Sequence, residues 1–135
     1  MSEPQIVYRI EETPDATEVA ELYRSAGLRR PVEDPERIGR MIAHANLIVC
    51  ARDGERLVGI ARALTDFSFC CYLSDLAVDA AYQRQGIGKA LIAQVQEAIG
   101  EEAMLLLLSV PTAMPYYPQV GFQAVENGWI IPRRR

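Results

Sequence analysis

Hydrophobic and polar positions along the chain predict an alternation of strands and helices. Seven short segments are apolar throughout or alternate between apolar and polar residues, which is typical of β-strands. They span residues 6–11, 47–51, 57–64, 69–78, 104–110, 122–125 and 129–131. Because Asp53-Gly54 is a strong hairpin signal, the second and third of these strands are predicted to pair antiparallel.

Four helices are predicted between the strands. Their apolar residues recur at helical spacing over residues 14–26, 35–45 and 86–99, and a short fourth helix ends near Gly121. Thr13 is the predicted N-cap of the first helix, and Gly27 and Gly100 are predicted to end the first and the third. The pattern predicts a single α/β domain over residues 1–135, with a mixed central sheet of about six to seven strands flanked by about four helices. The strand–helix–strand unit over residues 69–110 is predicted to be a parallel crossover.

Composition narrows the possible functions. Half of the 135 residues are hydrophobic, which is enough for one buried core. A net charge of −4 argues against a protein whose main task is to bind nucleic acid. The longest apolar run, residues 103–108, is too short to span a bilayer. The polar start of the chain lacks the pattern of a signal peptide, so we expect no membrane association and a cytoplasmic location.

Metal chemistry is not expected from this sequence. Cys50, Cys70 and Cys71 fit neither a zinc motif nor a disulfide framework, and His44 is the single histidine. We expect the three cysteines to be small hydrophobic residues of the core.

The segment Gln83-Arg84-Gln85-Gly86-Ile87-Gly88-Lys89 lies between a predicted strand and a predicted helix. A helix N-terminus binds phosphate well, and glycines let the backbone approach an anion closely. Arg84 and Lys89 add positive charge. The Walker pattern fails because Gln83 stands at its first glycine, and the dinucleotide fingerprint fails because Leu91 stands at its third. The competing interpretation is that Gly86 and Gly88 merely allow close packing of the helix on the sheet.

This segment resembles the coenzyme-binding motif of the GNAT superfamily of N-acetyltransferases, Gln/Arg-x-x-Gly-x-Gly/Ala. The later segment 116–122 resembles the family's aromatic-Tyr-x-x-x-Gly-Phe motif. The order and spacing of the predicted elements match that family over nearly the whole chain. The resemblance implies a GNAT-like fold that uses acetyl-CoA as a co-substrate, without a metal, and acetylates a primary amine by direct attack in a ternary complex.

The resemblance also implies which residues hold the coenzyme. The glycine loop binds the pyrophosphate through backbone N–H groups, and the preceding strand pairs through its backbone with the pantetheine arm. Ser109 stands near the position where many family members carry an asparagine. The implied coenzyme-binding residues are Leu76, Ala77, Val78, Gln83, Arg84, Gln85, Gly86, Ile87, Gly88, Lys89 and Ser109. The strands over residues 69–78 and 104–110 are implied to splay apart and admit the thioester.

Two residues are implied in catalysis. Tyr117 matches the family's tyrosine acid, which protonates the leaving thiolate, although a packed aromatic is the alternative interpretation. Asp75 interrupts an apolar strand and is a candidate to accept the amine proton or to bind a cationic acceptor. The alternative for Asp75 is a charge at a strand bulge or at the sheet surface. His44 is a weaker candidate for the base.

The acceptor and the assembly stay open at this point. We expect a small-molecule amine as the acceptor, and a homodimer is implied by the resemblance. The resemblance implies that the loop over residues 27–34 shapes the acceptor site. It contains Arg29, Arg30, Glu33 and Asp34, so it selects no type of charge. The two alternatives for Arg29 and Arg30 are that they bind a carboxylate or that they are simply solvated. The alternative function is a non-catalytic domain that binds or senses acyl-CoA, and the presence of Tyr117 favours catalysis over it.

Overall fold

The computed structural model describes residues 5–135 and contains one five-stranded mixed sheet with the order β1-β2-β3-β4-β5. The strands are β1 Ile6–Ile10, β2 Leu47–Asp53, β3 Arg56–Thr65, β4 Cys70–Val78 and β5 Met104–Leu106. The α-helices are α1 Ala16–Ala26, α2 Pro35–His44 and α3 Ile87–Ile99. Strands β1 to β4 pair antiparallel and β5 pairs with β4 in parallel, as the hairpin and crossover signals predict.

Local sequence signals fix most helix ends. Gly27, with φ of 74°, ends α1, and Asp34 caps α2 by accepting a hydrogen bond from the backbone N–H of Arg37. The prediction of Thr13 as the first N-cap is wrong by two residues. Asp15 caps α1 instead, since its carboxylate accepts from the N–H of Glu18 at 3.0 Å.

The sheet separates two layers of buried side chains. Helices α1 and α2 cover one face, and α3 covers the other. Helix α3 lies close against β3 at Gly59, where a Cβ would come within 3.1 Å of both Ile87 and Leu91. This close approach fixes the position of the first turn of α3 relative to the sheet.

The structure corrects the predicted end of the sheet. It contains five strands and three α-helices rather than six to seven strands and four helices, because β5 stops at Leu106 and residues 122–125 and 129–131 form no strand within the described chain. Those segments have a strand-like apolar pattern, but no neighbouring strand pairs with them. Trp129 and Ile131 are both 96% exposed.

The predicted fourth helix is replaced by two short 3₁₀ turns, Pro111–Ala113 and Tyr117–Val120. Pro115 and Pro118 lie in this stretch and have no backbone N–H for an α-helical hydrogen bond. The segment therefore contains the two tyrosines, as predicted, but in a tighter and less regular backbone.

The expectation for the cysteines holds for two of the three. Cys50 and Cys71 are buried, whereas Cys70 is exposed. Neighbouring residues of a strand point to opposite faces, so Cys70 and Cys71 cannot both enter the same core layer. Among residues 5–135, no helix has both the length and the apolar character that crossing a bilayer requires.

Candidate active site

A bulge at Ser74 reverses the facing of the residues along β4. Arg62 of β3 lies opposite Asp75 and Ala63 lies opposite Leu73, so Ser74 is an extra residue in β4. Leu73 packs in the layer beneath α3, whereas Asp75 points to the opposite face. In a regular strand these two residues would share one face. The bulge therefore turns a carboxylate into the layer beneath α1.

Asp75 is completely buried and is surrounded by hydrogen-bond donors. Its carboxylate accepts from the Tyr23 hydroxyl at 2.6 Å, from Nε of Arg30 at 2.6 Å and from Nε of Arg62 at 2.5 Å. The Ser74 hydroxyl lies 3.2 Å from the same carboxylate. Burial alone raises the pKa of Asp75, but the hydrogen bond and charge of Arg62, the charge of Arg30 and the Tyr23 hydroxyl together lower that pKa below its ordinary value.

This environment bears directly on Asp75 as a candidate base. A buried carboxylate with a lowered pKa, already bonded to two guanidinium groups, is a poor proton acceptor. Asp75 also lies behind the cleft rather than on its wall. The geometry therefore favours the interpretation of Asp75 as a charge at a strand bulge. In this interpretation Asp75 holds the side chains of Tyr23, Arg30 and Arg62 in position.

The strands β4 and β5 stop pairing two residues before the bulge. Their pairing ends at Tyr72 and Leu106, so the second half of β4 has no strand neighbour on that side. Residues 107–110 continue on the other side of the resulting gap without forming a strand. Backbone N–H and C=O groups along this open edge of β4 are available to an extended ligand.

The gap opens into a cleft of about 1000 Å³. The cleft is lined by most of the residues that the sequence predicts for the site and also by the loop between α1 and α2. The predicted residues on its wall are Leu76, Ala77, Val78, Gln83, Arg84, Gly86, Ile87, Gly88, Lys89, Ser109 and Tyr117. Gln85 and Asp75 do not line it. The fold thus brings both sequence motifs, 83–88 and 116–122, to one cavity.

The glycine turn shapes one end of this cleft. The Gln83 side chain donates a hydrogen bond to the carbonyl of Val78 at 3.0 Å and holds the turn against the end of β4. Arg84 and Gly86 both have positive φ, 67° and 82°. Gly86 is the N-cap of α3 and supplies no capping side chain, so the first N–H groups of the helix remain available to an anion.

Two tyrosines, Tyr116 and Tyr117, also line the cleft. A Cβ added at Gly88 would lie 3.2 Å from the Tyr116 hydroxyl, so Tyr116 reaches the start of α3. The Tyr117 ring is half-buried and packs edge-to-face on Tyr116 and Phe122, with ring centroids 5.2 and 5.5 Å away. Burial, together with the neighbouring Tyr116, raises the pKa of Tyr117. Its hydroxyl is therefore protonated at neutral pH and is available as a proton donor.

Sequence reasoning missed the three residues that bind Asp75. Tyr23 belongs to α1, Arg30 follows it, and Arg62 lies in the otherwise apolar β3. A usable signal was present for Arg62, since a charged residue inside an apolar strand indicates a buried partner. Nothing local connected Tyr23 or Arg30 to Asp75, because Asp75 is about 50 residues away along the chain.

Residues 14–129 of the chain match the model of the acetyltransferase (GNAT) domain family. The chain is 37% identical over 79 residues to a histone acetyltransferase of Glycine max, which covers 55% of this chain and 33% of that protein. It is 28% identical over 113 residues to a glucosamine 6-phosphate N-acetyltransferase of Trypanosoma brucei brucei, which covers 81% of this chain and 69% of that protein.

The fold is similar to that of solved structures as well. A GNAT-family acetyltransferase of Streptococcus pneumoniae TIGR4 superposes with a TM-score of 0.79 at 26% identity, covering 97% of this chain and 100% of that one. The chain spans about a third of the length of several curated relatives that it matches.

The Asp75 network generates a prediction about stability. Asp75→Asn removes the charge that balances Arg62, whose side chain is 8% exposed, and should lower the free energy of unfolding at pH 7 by about 3–5 kcal/mol. Because the pKa of Asp75 is lowered in the folded state, its contribution is present above the unfolded-state pKa and is lost as the pH falls through the lower folded value. Urea unfolding from pH 7 down to pH 2 measures both effects.

Glu12→Gln is the matched control, because it removes one negative charge from an exposed position. It should change the free energy of unfolding by less than about 0.5 kcal/mol. An Asp75→Asn protein as stable as the wild type at pH 7, with the same loss of stability in acid, would contradict the assigned role of the network.

Proposed function

The chain belongs to the GNAT acetyltransferase family, and we propose that it transfers an acetyl group from acetyl-CoA to a primary amine by direct attack. One observation carries the proposal. A single cleft contains the open edge of β4, the glycine turn at the start of α3 and the half-buried Tyr117. These are the parts that such a reaction needs for coenzyme binding and for proton donation.

The cleft fits the coenzyme in three respects. The first N–H groups of α3, with Arg84 and Lys89 beside them, suit the charge of a pyrophosphate. The absence of a Cβ at Gly88 keeps the backbone of the first turn accessible in a narrow space, where the Tyr116 hydroxyl would lie 3.2 Å from a Cβ. The open edge of β4 over residues 76–78 suits the amides of the pantetheine arm, and Ser109 lies on the opposite wall. Acetyl-CoA would supply the activated acetyl group as a thioester.

The proposed chemistry assigns separate tasks to the residues of the cleft. Backbone N–H groups along the open β4 edge provide donors for the oxyanion that forms on the thioester carbonyl. Tyr117 donates its proton to the departing thiolate. The attacking amine must be neutral, and its proton passes to solvent through the open cleft, because Asp75 is fully engaged.

A non-catalytic acyl-CoA sensor is the second candidate function. It needs the glycine turn and the β4 edge, but it has no use for a proton donor in the cleft. The position of Tyr117 on the cleft wall, where its hydroxyl is protonated at neutral pH, favours catalysis. Binding of acetyl-CoA without turnover of any amine would favour the sensor.

The acceptor, the location and the assembly stay proposals. A small-molecule amine is the preferred acceptor, and the absence of nucleic-acid and membrane partners and the cytoplasmic location stay predictions. We also propose a homodimer in which the exposed apolar residues Trp129 and Ile131 form part of the interface. Light scattering that gives only the 15.1 kDa monomer mass at every concentration would exclude it.

Coenzyme binding gives the first functional prediction. Acetyl-CoA and free CoA should raise the melting temperature, because a ligand of the native state stabilises it by about 2.7 kcal/mol at roughly 100 times its dissociation constant. Gly88→Asp should abolish this shift by placing a carboxylate where phosphate would bind. Gly128→Asp is the control, because a Cβ at Gly128 meets no atom within 4 Å, and it should keep the full shift. No shift of the wild-type protein at millimolar acetyl-CoA would refute coenzyme binding.

The proposed proton donation by Tyr117 gives the second functional prediction. Tyr117→Phe keeps the ring and removes the hydroxyl, so turnover should fall by about 10²-fold or more while coenzyme affinity stays nearly constant. Steady-state kinetics with acetyl-CoA and a turned-over amine measures both quantities. Tyr116→Phe is the neighbouring control. Its hydroxyl lies near Gly88, so it should affect KM for acetyl-CoA at most. If Tyr117→Phe turns over as fast as the wild type under conditions where chemistry limits the rate, the Tyr117 hydroxyl is not the proton donor and the ring only packs.

A further inference from the structure

The charged side chains on the cleft wall all have the same sign. Among the described residues that line the cleft, the charged ones are Arg29, Arg30, Arg84 and Lys89, and none is Asp or Glu. The two acidic residues of the loop between α1 and α2 are outside this wall. Asp34 caps α2 and Glu33 is exposed elsewhere. The loop over residues 27–34 contains both acidic and basic residues in sequence, but only its basic residues line the cleft.

The four cations form two separate groups. Arg84 and Lys89 flank the glycine turn that follows Val78, at the end proposed for the pyrophosphate. Arg30 instead binds the carbonyl of Ser74, at the bulge. Ser74 and Val78 are four residues apart on β4, which places the two groups roughly 13 Å apart along the strand. Arg29 and Arg30 therefore lie away from the proposed pyrophosphate end of the cleft, where the acceptor has space to enter.

Arg30 is held rigidly and still has free donors. Its Nε donates to Asp75 at 2.6 Å, and its Nη1 and Nη2 donate to the carbonyls of Arg29 and Ser74 at 2.5 and 2.7 Å. A guanidinium has five N–H groups, so two remain for a ligand after these three bonds. The Arg30 side chain is 26% exposed, which lets those groups reach the cleft.

The local charge balance is positive. The Asp75 carboxylate carries one negative charge against the two positive charges of Arg30 and Arg62, and Arg29 adds another. A polyamine or another polycation would be repelled from such a wall. An amine that also carries an anion would be attracted, and its amino group would lose its proton more easily beside these cations. This easier loss of the amine proton provides a neutral nucleophile, although none of the described residues that line the cleft is a carboxylate base.

We propose that the acceptor is a primary amine that also carries a carboxylate or a phosphate, and that Arg29 and Arg30 bind this anion. The inference rests on the proposed acetyl transfer and specifies its substrate class. Arg30 supplies a fixed donor pair, and the exposed Arg29 supplies a second charge beside it.

Matched acceptor pairs test the proposal. The kinetics of acetyl transfer are measured for glucosamine 6-phosphate against glucosamine and for phenylalanine against phenylalaninamide, which separate the phosphate from the carboxylate. The anionic member of at least one pair should have a kcat/KM at least about 10-fold higher, which is the strength of a charged hydrogen bond. In the second pair the amide has the more easily deprotonated amine, so a preference for phenylalanine would not come from amine basicity.

Variants connect the preference to the two arginines. Arg29→Gln and Arg30→Gln should each reduce the preference by about 10-fold while KM for acetyl-CoA stays constant. Arg29→Gln leaves the bonds to Asp75 intact, so it remains informative if Arg30→Gln fails to fold. Arg9→Gln makes the same charge change at an exposed position on the edge strand β1 and should leave the preference unchanged.

The outcomes separate this inference from the proposed function. Transfer to the neutral amines that equals or exceeds transfer to the anionic ones overturns the inference and leaves acetyl transfer standing. The inference is also overturned if Arg29→Gln raises KM for acetyl-CoA and leaves the acceptor preference intact. In that case Arg29 binds the coenzyme rather than the acceptor. Turnover of none of the amines overturns both.

Discussion

The buried carboxylate of Asp75 is the interaction on which the site depends. It joins α1 through Tyr23, the following loop through Arg30, and β3 through Arg62. A bare carboxylate is costly to bury, and it is tolerated here because every oxygen is bonded and two guanidinium groups balance the charge. The same contacts lie at the Ser74 bulge, two residues beyond the last pair of β4 and β5, so they hold β4 in place where it begins to line the cleft.

The cleft follows from the separation of β4 and β5 and from the position of α3. Close packing at Gly59 holds Ile87 against the sheet, and the Gln83 side chain ties the preceding turn to the end of β4. The helix N-terminus and the open strand edge therefore face the same space. Positive φ at Arg84 gives the turn a conformation that costs energy for a non-glycine residue, as occurs at functional sites.

Much of this arrangement could be predicted from sequence because it depends on local signals. The spacing of apolar residues identified α1, α2, α3 and the hairpin, and the glycine turn was identified by residue type. Predictions failed where a distant partner or its absence decides the outcome. Residues 129–131, for example, have a strand-like pattern without a neighbouring strand. The role of Asp75 stays a prediction, and its partners Tyr23 and Arg62 favour the bulge alternative over the base. A one-residue bulge also reverses the facing of side chains, and the polar pair Ser74-Asp75 inside an apolar strand was the signal for it, since a charge at a strand bulge was the alternative for Asp75.

The central claim is that one cleft, opened by the divergence of β4 and β5, holds acetyl-CoA for attack by an amine. A crystal structure of the protein with CoA tests it most directly. The account predicts the pyrophosphate on the backbone N–H groups at the start of α3 and the pantetheine arm between residues 76–78 and 107–110. The coenzyme bound at any other surface, or β4 and β5 paired along their full length in that crystal, would contradict it.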